Sequence, residues 1–194
     1  MATSRGVAIF VQGDAMGEFL PLEALGQRIM ICGPSNAGKS TLAVALGRKL
    51  GTKVFHVDLF RHLPDTNWVQ RPDDEFRALH DAAILGESWV IDGNYSGLMP
   101  QRLARATGLV LVGGSRWANF CRYLWRTLLQ PDRAGSLAGR KDSLKWDMIR
   151  GVLVVQPRNR ERDRDRLRAT GLPLVELASM AELKRLYAAW ELVH

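Results

Sequence analysis

Apolar residues in this chain fall in short runs that alternate with stretches of helical spacing. "QRIMICG" is apolar over residues 29–32 and stops at Gly33, the pattern of a strand buried on both faces. Residues 40–50 follow with Leu42, Val44, Ala45 and Leu46, and Gly51 stands where glycine closes a helix. "KVFHVD" is rich in β-formers and ends at Asp58. "RPDDEFRALHDAAILG" opens on Pro72 and three acids, which suit the positive end of a helix, then sets Phe76, Leu79, Ala83 and Ile84 at helical spacing. "SWVIDG" predicts a strand ending at Asp92, and "GLVLVGG" another bounded by glycines. Helical spacing returns over residues 117–129 and in "DSLKWDMIRGVLVVQ", with the polar "QPDRAGSLAGRKD" between them as a loop. The charged "RNRERDRDRLRATG", a last strand in "LPLVELAS" and a helix in "MAELKRLYAAWEL" complete the pattern.

Strands alternating with helices predict an α/β fold, a parallel five-stranded sheet with helices on both faces. Ligands of such sheets bind beyond the carboxyl ends of the strands. Gly33, Asp58 and Asp92 all fall at such ends.

The chemistry concentrates there. "GPSNAGKS" over residues 33–40 fits G-x-x-x-x-G-K-[ST], after a strand and before a helix, as a phosphate-binding loop requires. Backbone N–H groups from Gly33 through Ser35, Asn36, Ala37 and Gly38 to Lys39, Ser40 and Thr41 are the expected nucleotide contacts, aided by the helix N-terminus. Lys39 is expected on the β- and γ-phosphates, and the Ser40 hydroxyl on Mg²⁺. Pro34 lacks an N–H and removes one donor. Asp92, an acid after an apolar strand, is the second Mg²⁺ candidate; the alternative is an acid capping a turn with Gly93. Asp58 is placed to orient or deprotonate an acceptor hydroxyl, with a plain hydrogen-bonding carboxylate as the equal alternative. His56 would share the Asp58 side of a continuing strand. Asn94 and Tyr95, directly after Asp92, are candidate acceptor contacts.

Composition adds a boundary and an asymmetry. The chain has 194 residues, suiting one domain, and no apolar run of the ~20 residues that span a bilayer. Its first residues lack a signal-peptide pattern, so a cytoplasmic protein without a membrane partner is expected. Cys32 and Cys121 have no metal-site spacing and read as small buried hydrophobes. The net charge is +7; residues 1–115 carry 11 basic and 11 acidic side chains, and residues 116–194 carry 16 and 9. Such an excess points to phosphates, of a nucleotide or of a nucleic acid.

"GPSNAGKSTLAVALG", "VFHVDLF", "NWVQRPDDEFRALH", "SWVIDGNYS", "QRLARAT" and "SRWANFCRYLWRTL" together resemble the DNA topology modulation protein family, a branch of small P-loop kinases similar to adenylate and shikimate kinases. The resemblance runs from about residue 28 to the end. It implies a P-loop kinase domain over 28–194, with an arginine-bearing lid at about 130–168, and leaves residues 1–27 as an extension without a counterpart. It implies ATP and Mg²⁺ as cofactors and lid arginines that close over the phosphates. Arg140 and Arg158 are chosen from Arg140, Lys141, Arg158, Arg160, Arg162 and Arg164, although the interleaved acids also fit a solvated, ion-paired face. "DGNY" replaces the "DGFPR" of adenylate kinases, so an acceptor phosphate would need another cation, for which Arg102 is the candidate.

Three functions fit these features. One is an ATP-dependent kinase of a nucleotide, nucleoside or other hydroxyl metabolite. The others are a nucleic-acid-associated ATPase and a non-catalytic nucleotide-binding regulator. Trp68, Trp117, Trp125 and Trp146 suit base stacking in the second, but their spacing equally suits packing, and Trp89 reads as core.

Overall fold

The computed structural model describes residues 10–12, 19–66, 68–114 and 156–193. The helices expected between 117 and 155, Cys121, Lys141 and Arg140 lie outside them. In chain order the elements are β1 (Phe10–Gln12), a 3₁₀ turn (Leu22–Leu25), β2 (Arg28–Cys32), α1 (Lys39–Leu50), β3 (Val54–His56) and α2 (Val57–Arg61). Then come α3 (Asp73–Ile84), β4 (Trp89–Asp92), α4 (Met99–Arg105), β5 (Gly108–Val112), α5 (Gln156–Arg168), β6 (Leu174–Leu177) and α6 (Met180–Ala189).

The sheet order is β1-β6-β5-β2-β4-β3, with every pairing parallel. The five expected strands are β2 to β6. The preceding segment adds a sixth at one edge, where Phe10 aligns with Leu174 and Gln12 with Glu176.

Alternate residues of each strand enter opposite layers. Ile29, Ile31, Val90, Val110, Val112 and Val175 pack with Leu42 and Leu46 of α1 and Leu183 and Leu186 of α6. Met30, Ile91, Leu109, Leu111 and Leu174 face Phe76, Ile84, Met99 and Leu167 from α3, α4 and α5. Leu42 and Leu46 are fully buried, each stabilising the fold by roughly 1.5–3 kcal/mol. Trp89 is likewise core. In α3 the spacing misassigned one position: Leu79 is exposed at 41%, while His80 is buried. α6 begins with Ser179 accepting from Glu182 N–H at 3.2 Å while Glu182 accepts from Ala178 N–H at 2.7 Å, two terminal donors satisfied.

The first described loop is fixed to this core. Phe19, Leu20, Leu22 and Leu25 are buried, and Trp190 Nε1 donates to the Leu20 carbonyl at 2.9 Å. No helix among the described residues is long and apolar enough to cross a membrane.

Candidate functional site

The central strand β2 lies between β4 and β5, and the loop of residues 33–38 leaves its carboxyl end. Gly33 has φ +139°, and a Cβ there would meet the Val112 carbonyl oxygen at 2.1 Å. Only glycine lets the chain turn against β5 at this point. Asn36 (φ +61°) and Gly38 (φ +92°) take left-handed conformations, and α1 starts at Lys39. Lys39 Nζ donates to the Pro34 carbonyl at 2.8 Å, drawing the ammonium across the loop. Ser35, Asn36, Lys39 and Ser40 are half-buried, Ala37 is buried and Thr41 is exposed.

Asp92 ends β4 beside Ile31, and its neighbour across the sheet on β3 is His56. This register brings His56 Nδ1 to 2.8 Å from Asp92 Oδ1, with Asp92 only 4% exposed. Burial works to lower the His56 pKa, but the hydrogen bond and charge of Asp92, joined by Asp58, outweigh it, so it lies above the ordinary value.

Asp58 is not on a continuing strand. The chain turns into α2 at Val57, so the expected alternation that set His56 and Asp58 on one side does not apply: His56 directly precedes α2, with no capping bond from its side chain, and Asp58 lies in its first turn. The exposed Asp58 accepts a hydrogen bond from Tyr95 Oη at 2.9 Å. Burial, then the charge of Asp58 and that bond, push the Tyr95 pKa far up, and the phenol stays a neutral donor. Phe76 meets the Tyr95 ring edge-on, and the Arg61 guanidinium lies over Phe76, 5.3 Å from its centroid.

Asn94 faces the other way. Its Oδ1 accepts from Gly33 N–H and its Nδ2 donates to the Gly33 carbonyl, both at 3.0 Å. Asn94 therefore brackets the start of the loop of residues 33–38.

Arg102, the candidate for an acceptor phosphate, is corrected by the structure. Its side chain is fully buried; Nη1 and Nη2 donate to the carbonyls of Gly93, Asn94 and Tyr95, and Nε is buried without a hydrogen-bond partner among the described residues. Arg158 falls in the first turn of α5. Further along that helix Leu167 enters the core, Arg166 Nη1 approaches Met99 Sδ, and Arg168 forms a bidentate pair with Glu176.

Cys32, beneath the loop, is a buried thiol raised to about 11 by burial, against the opposing charges of Arg102 and Lys39.

The site thus holds a glycine-turned loop with a lysine and a hydroxyl at a helix start, a buried carboxylate held by histidine, and an exposed carboxylate held by a phenol. The sequence did not reveal the His56–Asp92 contact, which comes from strand register. The signal available was that both residues end neighbouring apolar runs.

No protein-family model and no curated protein matches the chain. Among solved structures, shikimate kinase from Acinetobacter baumannii in complex with shikimate is 14% identical with a TM-score of 0.50, over 85% of this chain and 93% of that one. Shikimate kinase from Bacteroides thetaiotaomicron is 17% identical with a TM-score of 0.49, over 85% and 98%. A gluconokinase from Sinorhizobium meliloti 1021 is 16% identical with a TM-score of 0.40, over 73% and 98%. Identity this low speaks to fold alone, and the likeness rests on the first. The chain has the α/β P-loop NTPase fold, shared with the first of these structures.

Proposed function

We propose that this protein is an ATP-dependent phosphotransferase that moves the γ-phosphoryl group of ATP·Mg²⁺ to a hydroxyl of a small molecule, in the DNA topology modulation branch its motifs resemble. One observation carries the reading. A phosphate-binding loop and an exposed carboxylate stand at carboxyl ends of one parallel sheet, joined through residues 93–95: Asn94 on Gly33, Tyr95 on Asp58.

Lys39 and the loop N–H groups would hold the phosphates. The donors offered to Mg²⁺ are the Ser40 hydroxyl and the Asp92 carboxylate, hard oxygens that suit an ion retaining phosphate and water ligands. Bound Mg²⁺ would neutralise charge on the phosphates. Asp58 would accept a hydrogen bond from the acceptor hydroxyl while Tyr95 Oη donates to its Oδ1 and fixes its orientation. As the acceptor oxygen forms its bond to the γ-phosphorus, the bond to the β,γ-bridging oxygen breaks, ADP leaves, and the hydroxyl proton passes to Asp58 or to water. Asp58 need be only a weak base, because phosphoryl transfer depends mostly on positioning and charge stabilisation. Arg140 and Arg158 are proposed as the lid arginines that add charge over the phosphates.

The test separates binding from transfer. Asp58→Asn should bind ADP within about threefold of the unaltered protein but lower transfer by ~10²-fold or more, the scale of a lost acid–base group. Lys39→Ala should lose both. Asp58→Asn retaining full transfer would remove Asp58 from the reaction. Hydrolysis of ATP stimulated by nucleic acid, weakening steeply with salt and with no small acceptor phosphorylated, would favour the nucleic-acid ATPase instead.

A further inference from the structure

We propose that Arg102 is a positioning residue that couples the phosphate loop to the acceptor carboxylate, acting through the strained turn of residues 93–95; this rests on the kinase reading for its purpose, not for its geometry. Gly93 has φ +121° and Tyr95, a bulky non-glycine residue, has φ +35°. Such conformations persist where surrounding contacts over-determine them, and they cluster at functional sites. Beside the backbone bonds from Gly93 N–H to the Ile31 carbonyl at 3.2 Å and from Leu98 N–H to the Tyr95 carbonyl at 3.1 Å, one side chain reaches all three carbonyls of the turn. Arg102 Nη1 donates to the Gly93 carbonyl at 2.7 Å, and Nη2 donates to the carbonyls of Asn94 and of Tyr95, the latter at 3.1 Å.

Every residue of the turn is thereby gripped from behind, and two of them grip something in front. Asn94 holds both polar groups of the Gly33 backbone. Gly33 N–H can only donate and its carbonyl only accept, so the Asn94 amide has one allowed orientation. Tyr95 Oη holds Asp58. A displacement of the turn would move both anchors together. A planar guanidinium with five donors in a fixed fork can serve three converging carbonyls, whereas a lysine ammonium is a single point charge. A buried charge is an unfavourable way to fill a core, which a hydrophobic residue of similar volume fills better, so its three bonds define its role here.

Arg105, on the same helix, gives the control. It donates to the carbonyls of Ile84 and Leu85, away from the turn.

Arg102→Lys, Asn94→Ala and the double variant should be compared by calorimetric titration with ADP·Mg²⁺, beside Arg105→Lys. If Arg102 acts through Asn94, each single variant weakens ADP by about tenfold and the double variant by little more, because residues acting in one chain of contacts are not additive. Losses that multiply, or Arg102→Lys binding ADP as the unaltered protein does, would overturn the proposal. Amide hydrogen exchange adds a regional readout, because a general loss of stability speeds exchange through the whole core rather than in two loops alone. Arg102→Lys should speed exchange in residues 93–98 and 33–38 together, and Arg105→Lys in neither; acceleration confined to 93–98 would refute the coupling. Should Arg102→Lys not fold, the unaltered protein decides. ADP·Mg²⁺ should slow exchange at 93–98 as well as at 33–38, and protection at 33–38 alone would overturn the coupling. Absence of any ADP binding by the unaltered protein would sink the nucleotide reading, leaving the coupling through residues 93–95 to be judged by the exchange comparison of Arg102→Lys with Arg105→Lys alone.

Discussion

Gly33→Ala and Gly51→Ala form a matched pair that tests the phosphate loop. Both glycines have positive φ, +139° and +62°. A Cβ at Gly51 meets nothing within 4 Å, whereas at Gly33 it meets the Val112 carbonyl oxygen at 2.1 Å, against an ordinary contact of 3.4 Å or more. Gly51→Ala should therefore cost only the left-handed penalty, about 1–2 kcal/mol, at the end of α1 remote from the loop. Gly33→Ala carries a conformational penalty of ~1–3 kcal/mol and must also open a gap of more than an ångström between two backbone segments. Neither segment is a flexible side-chain end that can swing aside. The loop N–H groups would be displaced by a distance that commonly costs ~10²-fold where groups must be aligned. Urea unfolding measures the stabilities, and ADP·Mg²⁺ titration the affinities. Gly51→Ala should bind ADP within about threefold of the unaltered protein, and Gly33→Ala should lose about a hundredfold or more. Gly33→Ala that binds ADP normally would refute the reasoning that this glycine shapes the cradle.

Other outcomes follow from single contacts. Trp190→Phe removes the donor to the buried Leu20 carbonyl and should destabilise the fold by about 1–3 kcal/mol in urea unfolding; an unchanged midpoint would show that this bond does not anchor the preceding segment. His80 is held below its ordinary 6.5 by burial, with the Asp81 hydrogen bond opposing and the Arg102 charge assisting. The unfolded chain thus takes up a proton that the folded chain refuses, so stability should fall as pH drops through about 6.5, and His80→Leu should flatten this limb by no more than about 1.4 kcal/mol per pH unit. An identical pH slope in that variant would exclude His80 as its source. In a Cys121→Ser background, Cys32 should react with a thiol reagent at pH 8 only at the unfolding rate, since it is buried and raised to about 11; rapid native-state labelling would contradict its burial.

The strands β2, β4, β5 and β6 were legible because they are buried on both faces, and such strands read as continuous apolar runs bounded by glycine, proline or an acid. The loop of residues 33–40 was legible because glycine, lysine and serine at fixed spacing have a backbone reason to be there. β1 was not, because three residues carry no period and their partner lies at Leu174–Glu176, far along the chain. Leu79 is exposed and His80 buried because one residue of rotation about a helix moves a side chain by about 100°, and spacing alone does not set the buried arc. Asp58 was read one element too early: nothing in "VFHVDLF" marks the change from strand to helix at Val57. Arg102 shows a different limit. A charged residue in a polar helix reads as surface or as ligand contact, and only the three carbonyls converging on it explain why it is inside.

Transfer from γ-labelled ATP·Mg²⁺ to a panel of nucleosides, nucleoside monophosphates, sugars, hydroxy acids and nucleic acid, with Lys39→Ala as the blank, decides whether this protein is a small-molecule kinase. A small-molecule kinase forms a labelled acceptor in the reaction of the unaltered protein and none in the Lys39→Ala reaction. ATP hydrolysed only in the presence of nucleic acid, with no small acceptor labelled, would contradict the kinase reading.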